Sequence, residues 1–578
     1  EYFLIDRSLY LQREDLRLCG RTLFGAKPPK GQELDDHYFG SIRPRVAAYM
    51  QDLDEELWKL GVLSKTKHNE VAPSQHEMAP IYTDANAAND QNQLTMEIMK
   101  KVAEKHGLIC LLHEKPFAGV NGSGKHNNWS LATDAGDNLF SPGSTPSQNA
   151  RFLLFLAAFI KGVDEYQELL RCSVAFAGND HRLGAQEAPP AIISVFLGEE
   201  LEAIVDSIVN DHDYTDRKRK SLRIGVDVLP AIPKDTTDRN RTSPVAFTGN
   251  KFEFRSLGSS QSIAGPNTIL NTIMAEELEQ FAEELEGVKD FSSALHELIK
   301  RVFTEHQRIL FSGNGYDESW IAEAERRGLA NLHNTAEALP AYILPKNIQL
   351  MTSHGVYSKS EMMARHEIHM EKYCKVIGIE AGTLVDMVQH SILGAASAYA
   401  DKLCQSLAHK KAAGVACRTE TALAGTVSTL CDELMDRTLA LKTALQSEPN
   451  APQEELVRYY HDVVFNAMSR VRDIVDQLEQ LYFPRPSDFE DRFERRAHAS
   501  ARVQHVVAQH RNFVFYRKIG PLRRIVGHKK SGNQVVALHT DIYPEGRHGD
   551  PFRLGKTLPY AVRHNLAAAL DAQKHYVV

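Results

Sequence analysis

The sequence has no apolar run long enough to cross a membrane. Its longest, FLLFLAAFI at residues 152–160, is well short of the roughly 20 residues that a membrane-spanning helix needs. We interpret this run as a buried helix and expect no association with membranes.

Cysteine is scarce and shows no pattern. There are seven cysteines, an odd number, and no two of them have the CxxC spacing. This argues against a disulfide framework or a cysteine metal centre and favours reduced thiols, as in a cytoplasm.

The chain also lacks an initiating methionine and any signal peptide. It opens on EYFLID, which has the pattern of a strand already under way. We therefore expect a fragment whose natural N-terminal part is absent.

The chain also has no excess of positively charged residues. The net charge is −8, with 25% charged and 43% hydrophobic residues, so nucleic-acid binding is not expected of the chain as a whole. A chain of 578 residues can bury a substantial core and should divide into two or more domains.

The most informative stretch is HNEVAPSQHEMAPIY at residues 68–82. Glu70 and Glu77 lie on either side of Pro73-Ser74, and a histidine stands shortly before each of them. Alternation of apolar and polar residues predicts two short strands joined by a tight turn. The turn would bring both carboxylates to one surface, where they suit a hard cation such as Mg²⁺ or Mn²⁺. The alternative, a solvated hairpin with ordinary surface charges, remains open.

A glycine-rich segment, GVNGSGKH, follows at residues 119–126. It lacks the spacing of a phosphate-binding P-loop, but its glycines allow the backbone to approach a ligand closely. His126 could offer an imidazole to a metal ion, although a lone histidine is more often structural.

The loop NDHRLGAQEAPP at residues 179–190 contains Arg182 and Glu187. The two could form a surface ion pair of little energetic value. The functional alternative is a mobile lid that carries an anion clamp, Arg182, and a carboxylate, Glu187, that attracts a cation or removes a proton from it.

The segment KFEFR at residues 251–255 alternates charge with phenylalanine. A period of two puts Lys251, Glu253 and Arg255 on one face of a strand. With Arg241 nearby, this face is either a solvated edge or a polyanion cradle beside a metal ligand.

Periodicity predicts the remaining elements. Strands are expected at residues 1–6, 109–113, 127–132, 191–197, 226–233 and 244–255. Helices are expected at residues 43–63, 89–106, 147–172, 275–305, 379–408, 419–446 and 453–481, with a loop-like segment at 7–40.

Five motifs in this order, EYFLID, NEVAPSQHE, NGSGKH, NDHRLGAQEAPP and NKFEFRS, resemble glutamine synthetase. The segments HRLGAQEAPPAI and DRNRTSPVAFTGNKFEFR are most similar to those of the type III enzymes. The resemblance covers residues 1 to about 270 and extends through the helical region to about 482.

The resemblance implies an α+β fold in which a curved antiparallel sheet is flanked by helices, followed by a C-terminal helical region. It divides the chain into a catalytic core at residues 1–270, the helical region of the catalytic domain at 271–482, and a divergent tail at 483–578. The β-grasp-type N-terminal domain of the family is expected to be absent.

It also implies roles for individual residues. Glu1, Glu70 and Glu77 resemble the ligands of a first divalent cation, and His126 and Glu253 resemble ligands of a second. The second site normally has another glutamate two residues before the position of Glu1, outside this chain.

The other matched residues lie around the substrates. Asn121 and Gly122 resemble residues that line the glutamate pocket. Arg182 and Arg255 resemble the groups that hold the carboxylates of glutamate or the transferred phosphoryl group, and Glu187 resembles the lid carboxylate that deprotonates ammonium. The residues that resemble ATP-binding residues are Asn128, Ser130, Arg241 and Lys251. Asn128 stands where the family more usually has histidine.

The implied activity is ATP-dependent ligation of ammonia to L-glutamate through γ-glutamyl phosphate, in the cytoplasm, with Mg²⁺ or Mn²⁺. The family forms homo-oligomeric rings, dodecamers by resemblance, with active sites between subunits. Two alternatives remain: a ligase that joins glutamate to another amine such as a polyamine, or a non-catalytic structural relative.

The tail departs from the family. From Asp491 onward it has sixteen Lys or Arg against six Asp or Glu. A basic segment of this kind suits nucleic acid or an acidic surface, but we expect a poorly ordered or mistranslated extension and assign it no function.

Overall fold

Two four-stranded sheets carry four of the five motifs described above. The structure is a computed structural model and describes residues 1–212, 214, 221–222, 232–233 and 242–481. The strands in this part of the chain are β1 Tyr2–Asp6, β2 Ser64–Asn69, β3 Gln75–Pro80, β4 Leu108–Leu111, β5 Gly124–Trp129, β6 Val195–Phe196, β7 Ser221–Leu222, β8 Ile232–Pro233, β9 Val245–Phe247 and β10 Phe252–Gly258.

The first sheet has the order β2-β3-β1-β4 and the second has the order β5-β10-β9-β6. Their pairs are antiparallel apart from β6 and β9, which run parallel. Strands β7 and β8 form a separate antiparallel pair.

Helices make up most of the rest. They are α1 Arg7–Tyr10, α2 Glu14–Cys19, α3 Pro44–Lys59, α4 Ala85–Lys105, α5 Ala150–Glu165, α6 Gln167–Cys172, α7 Ala177–Asp180, α8 Glu199–Val209, α9 Ala264–Leu285, α10 Phe291–His306, α11 Glu318–Arg326, α12 Thr335–Ala338, α13 Pro345–Ser353, α14 Lys359–Met387, α15 Leu393–Ala412, α16 Arg418–Gln446, α17 Gln453–Tyr459 and α18 Asn466–Leu481. Short π-helical segments at Val388–Ile392 and Tyr460–Phe465 connect α14 to α15 and α17 to α18.

The apolar run at residues 152–160 forms the predicted buried helix, α5. Its Phe159 ring stacks on Phe252 of β10, with ring centroids 3.5 Å apart. Since Phe252 alternates with the charged residues of the same strand, this packing holds one face of β10 against the core and leaves the other for Glu253 and Arg255.

The α+β class predicted from the sequence is confirmed, and so are most of its elements. Two predicted elements are divided because glycines interrupt them. Gly287 and Gly249 have φ angles of +71° and +89°, which glycine adopts readily. They separate α9 from α10 and β9 from β10, where the sequence predicted a continuous element in each case.

The segment at 7–40, predicted as loop-like, contains α1 and α2, and helix α8 was not predicted from the sequence. The predicted strand at 226–233 lies outside the described residues apart from Ile232–Pro233. Glu1–Arg517 form one unit of the chain and contain all the described residues, whereas the other unit, Lys518–Val578, lies outside them.

None of the helices in the described part of the chain combines the length and the apolar character that a membrane span requires.

Candidate active site

The hairpin of β2 and β3 gathers three metal-ligand side chains. His68 on β2 pairs directly with Glu77 on β3, and Glu70 follows β2 at the start of the turn. Ligand atoms of all three side chains lie within 4.8 Å of one another. His68 Nδ1 is 3.6 Å from Glu70 Oε1, and its Nε2 contacts Glu77 Oε2. The predicted convergence of the two carboxylates is therefore present, because the turn brings the strands back over each other.

The surroundings of Glu77 and His68 favour the charged form of each side chain. Burial raises the pKa of Glu77, but the hydrogen bond from His68, the charge of the Glu1 amino group and the charges of His68 and His126 outweigh it and lower the pKa to about 2. The hydrogen bond to Glu77 raises the pKa of His68 to about 9 against the effect of its burial. Two carboxylates, one of them Glu70 at 1% exposure, and one imidazole form a donor set that fits a hard divalent cation.

A second acid–imidazole pair lies on the other sheet. His126 on β5 and Glu253 on β10 are joined by a contact of 2.8 Å between Nδ1 and Oε1. Arg255 Nη2 donates to Glu253 Oε2 at 3.1 Å. Burial raises the pKa of Glu253, yet the hydrogen bond from His126 and the charges of His126 and Arg255 lower it to about 2. Because the charge of His126 also lowers the pKa of Glu77, the two groups lie within electrostatic range of each other.

Glu1 lies where the two sheets meet. Its Oε2 accepts a hydrogen bond of 2.7 Å from the backbone N of Gly124, the first residue of β5. Gln75 of β3 bridges the same junction, since its Nε2 donates to Gly122 O at 2.8 Å and to Ser123 Oγ at 3.2 Å. The five residues predicted as metal ligands, Glu1, Glu70, Glu77, His126 and Glu253, therefore lie in one region of the molecule.

The two histidines of the hairpin have different surroundings. His76 lies on the opposite side of the strand from Glu77 and is buried against Tyr2, with ring centroids 5.8 Å apart. Burial lowers its pKa to about 3. His68 belongs to the cluster that could hold a metal ion, although the sequence did not predict it as a ligand. The signal that could have found it is its cross-strand position opposite Glu77.

The glycine-rich loop is shaped by close backbone contacts. A Cβ atom at Gly122 would lie 2.4 Å from Glu114 O and 3.0 Å from Arg182 Cγ, so only glycine fits there. Beside it, Asn121 Nδ2 donates to Glu187 Oε2 at 2.8 Å. The loop and the predicted lid carboxylate are therefore in direct contact.

The segment predicted as a lid divides into a buried part and an exposed part. Glu187 is exposed and has a φ angle of +69°, in a turn closed by a hydrogen bond of 2.9 Å from Gly184 N to Pro189 O. Arg182, in contrast, is 2% exposed, and its Nη2 donates to Arg255 O at 3.0 Å.

The structure thus corrects the expectation that Arg182 lies on an exposed lid with Glu187. Its guanidinium is held by backbone carbonyls of β10 beneath the glycine-rich loop, because the short helix α7 turns this part of the chain into the core. Its predicted contact with glutamate or phosphoryl oxygens stays a prediction.

The predicted ATP contacts lie along the edge of β5 and β10. Asn128 is exposed and pairs across the strands with Glu253. Ser130 is also exposed, and its Oγ donates to Asn250 O at 3.0 Å, next to the half-buried Lys251. Arg241 lies outside the described residues.

Comparison with known proteins places these motifs in one family. The model of the glutamine synthetase catalytic domain matches residues 1–176, and that of the glutamine synthetase C-terminal domain matches residues 294–411. A glutamine synthetase of Butyrivibrio fibrisolvens is 46% identical over 491 residues, which are 83% of this chain and 69% of that protein. This chain belongs to the glutamine synthetase family.

Two further glutamine synthetases agree with this assignment. The type-3 glutamine synthetase of Dictyostelium discoideum is 53% identical over 410 residues, which are 70% of this chain and 56% of the relative. The enzyme of Bacteroides fragilis is 43% identical over 494 residues, which are 83% of this chain and 68% of the relative. The chain thus spans between just over half and just over two thirds of the length of these relatives.

The family predicted from the five motifs is confirmed. The catalytic-domain match contains the hairpin and the glycine-rich loop. The roles of the individual residues stay predictions.

Proposed function

We propose that this chain catalyses the ATP-dependent ligation of ammonia to L-glutamate, forming L-glutamine through γ-glutamyl phosphate. The observation that carries the proposal is the convergence of two acid–imidazole groups, His68–Glu77 on one sheet and His126–Glu253 on the other, on either side of the contact between Glu1 and Gly124. The Asn121–Glu187 contact adds a carboxylate at the rim of the same region. Family membership supports the reaction, and these contacts support its location.

Glu1, Glu70 and Glu77 would hold one Mg²⁺ or Mn²⁺, and His126 and Glu253 would contribute to holding a second. When bound, such cations neutralise the charge of the ATP phosphates during in-line transfer. Their donor set of carboxylate oxygens and imidazole nitrogen suits either metal.

The surrounding side chains have separate tasks in this proposal. Arg255, which lies beside Glu253, stabilises charge on the transferred phosphoryl group. Asn121 and Gly122 orient glutamate, while Asn128, Ser130, Lys251 and Arg241 contact ATP. Closure of the Glu187 turn over the glycine-rich loop keeps water from the acyl phosphate.

Glu187 is the residue that removes a proton from ammonium. It is exposed at the turn, and the Asn121 amide fixes its carboxylate at 2.8 Å. A carboxylate held in this way can bind ammonium and accept its proton once the acyl phosphate has formed.

Replacing Glu187 by glutamine is expected to lower kcat/KM for ammonium by about 100-fold while KM for ATP stays within about twofold of the wild-type value. Glutamine keeps an oxygen that can accept the Asn121 hydrogen bond, so the variant removes the charge and leaves the turn in place. Steady-state kinetics with ammonium and ATP varied separately measure both effects. Glu200→Gln, an exposed carboxylate on α8, is the matched control, and wild-type ammonium kinetics in Glu187→Gln would contradict the assigned role.

The reaction itself is tested by phosphate release from ATP in the presence of glutamate and a panel of amines. Phosphate release that depends on ammonium and forms glutamine supports the proposal. Release with a polyamine but not with ammonium would instead indicate a glutamate–amine ligase, and no release with any amine would favour a non-catalytic relative.

We also propose that the chain assembles into homo-oligomeric rings, by resemblance dodecamers, in the cytoplasm. Exposed aromatic side chains beside the hairpin support a subunit contact there, since Phe39 and Tyr82 are 79% and 93% exposed. All seven cysteines are free thiols, which suits a reducing compartment.

A further inference from the structure

A cavity of about 270 Å³ lies between the segment after α2, the loop that precedes the glycine-rich turn, and helix α18. We call it the basic cavity. Its titratable lining residues are Arg21, Lys115, His181 and Arg472. Among the described residues that line it, none is aspartate or glutamate. The lining therefore favours a negatively charged occupant.

The two arginines already have carboxylate partners. Arg21 donates to both oxygens of Glu380 at 2.7 and 2.6 Å, and Arg472 Nε donates to Asp476 Oδ2 at 3.2 Å. These pairs fix the arginines in place at the wall of the cavity and cancel much of their charge.

Lys115 supplies the surplus charge. Its Nζ donates to Val120 O at 2.6 Å and to Gln186 Oε1, and both acceptors are neutral. In the part of the chain that the structure describes, no carboxylate forms an ion pair with it. Burial, and then the charges of Arg182 and Lys27, lower the pKa of Lys115 to about 8. An anion near Nζ would relieve this repulsion.

His181 offers an unused polar atom. Its Nε2 is buried and has no hydrogen-bond partner among the described residues, and Glu380 Oε2, which Arg21 already occupies, lies 4.0 Å away, beyond hydrogen-bond distance. Burial, followed by the charges of Arg21 and other nearby cations, lowers the pKa of His181 well below its usual value, so the ring is neutral at pH 7. A buried polar atom without a partner is costly, and a ligand oxygen in the cavity would satisfy it.

The rest of the wall is apolar. Leu23, Leu384, Phe465 and Met468 line the cavity beside the charged groups. A bare inorganic ion would leave this surface without a contact, whereas a ligand with a short carbon skeleton would cover it. The volume is slightly below the roughly 300–1,000 Å³ typical of drug-sized ligands, so the occupant is a small molecule.

Lys115 connects the cavity to the proposed active site. Gln186, which accepts one of its hydrogen bonds, directly precedes Glu187, and Val120, which accepts the other, directly precedes Asn121. A ligand that draws Lys115 Nζ toward the cavity must weaken these two bonds. It would thereby shift the loop pair joined by the Asn121–Glu187 hydrogen bond.

We propose that the basic cavity binds a small organic carboxylate and that this binding alters the position of the turn that carries Glu187. The second half of the proposal rests on the proposed role of Glu187 in ammonium use. The first half does not depend on any catalytic activity.

Binding is tested by titration calorimetry of the full chain with three probes: succinate, its neutral analogue succinamide, and inorganic phosphate. Succinate is expected to bind, and succinamide is not. Ser469, an exposed residue of α18 that lines the cavity, provides the variants. Ser469→Glu introduces a carboxylate and should weaken succinate binding at least about 10-fold, a change of about 1.4 kcal/mol, whereas Ser469→Gln should leave it within about twofold.

Three results would overturn the assignment of the cavity. One is the absence of succinate binding. Another is succinate binding that Arg255→Met removes and Ser469→Glu leaves intact, because the ligand would then occupy the proposed glutamate site. The third is phosphate binding as tight as that of succinate with the same response to Ser469→Glu, because the apolar wall would then contribute nothing.

The coupling to the turn is measured separately, as the effect of succinate on KM for ammonium at saturating glutamate. We expect succinate to change this KM at least about threefold in the wild type and in Ser469→Gln, but not in Ser469→Glu. Unchanged KM despite calorimetric binding would overturn the coupling. A protein that binds succinate as expected but makes no glutamine would refute the proposed function and leave the cavity assignment standing.

Discussion

Replacing Glu70 by glutamine is expected to lower kcat for glutamine formation by about 1,000-fold and to weaken Mn²⁺ binding at least about 10-fold. The side chain is almost completely buried and shares the ligand cluster of His68 and Glu77. Glutamine has nearly the same shape, so the variant removes one negative charge from the cluster with little change in packing.

The expected size of the effect follows from the position of the charge. A buried carboxylate attracts a divalent cation much more strongly than an exposed one, because little water screens it. Removing it leaves Glu77 as the remaining carboxylate of the cluster, and its negative charge is already shared with His68. The affinity for Mn²⁺ is measured by electron paramagnetic resonance and does not depend on turnover.

The chain offers a matched control for this variant. Glu276, Glu279 and His354 form a second cluster with ligand atoms within 4.8 Å of one another, but Glu276 and Glu279 lie on helix α9 and not on either sheet. Glu276→Gln should leave activity and Mn²⁺ binding within about twofold of the wild type. Equal losses in the two variants, or unchanged Mn²⁺ binding in Glu70→Gln, would contradict the assignment of the hairpin as a metal site.

Replacing Asp15 by alanine is expected to lower the free energy of unfolding by about 3–5 kcal/mol, the largest effect on stability that we predict. Arg13 and Asp15 form an ion pair in which both side chains are 0% exposed. Asp15 also accepts hydrogen bonds from Leu16 N at 2.9 Å and Leu23 N at 2.8 Å. The variant leaves the Arg13 charge buried without its partner and removes the acceptor that holds the segment after α2.

That segment joins the first sheet to the C-terminal helices. Thr22 N donates to Pro116 O at 2.9 Å on the side of the sheet, and Leu23 packs in the core cluster formed mainly by α14, α16 and α18. Loss of the hydrogen bond from Leu23 N to Asp15 therefore weakens the contacts of this segment with the sheet and with the C-terminal helices.

Urea unfolding monitored by circular dichroism measures this effect. Two comparisons separate charge burial from other causes. Glu371→Ala removes one member of an exposed i,i+4 pair with Lys375 and should change stability by less than about 0.5 kcal/mol. The double variant Arg13→Met with Asp15→Leu should recover much of the stability lost in Asp15→Ala, because it leaves no buried charge. A double variant no more stable than Asp15→Ala would show that the backbone hydrogen bonds, and not the buried charge, dominate.

Local patterns predicted the parts of the site that depend on neighbours in the chain. The hairpin of residues 68–82 follows from alternation on both sides of Pro73-Ser74, and Ser74 indeed has a φ angle of +65°. The common face of Glu253 and Arg255 follows from the period of two in β10. Both features involve residues a few positions apart, and short-range geometry determines them.

The errors have a common cause in long-range packing. His68 and His76 look equivalent in the sequence, but the pairing of β1 with β3 buries His76 and leaves His68 facing the carboxylates. Arg182 and Glu187 look like two ends of one lid, yet the close approach of Gly124 to the Arg182 guanidinium depends on a strand more than 50 positions earlier in the chain. Burial of a charged residue is decided by such partners, which no local pattern reveals.

The sequence by itself determined the candidate metal-binding carboxylates, the order of the motifs and the strands that carry them, because residue chemistry and backbone periodicity are properties of short segments. Only the tertiary structure decided which groups meet: Glu1 with Gly124 across the two sheets, Glu77 within range of His126, and Lys115 between the turn of Glu187 and a cavity walled by α18. These contacts join segments separated by tens to hundreds of positions, and they form only when both sheets and the helices pack around a shared core.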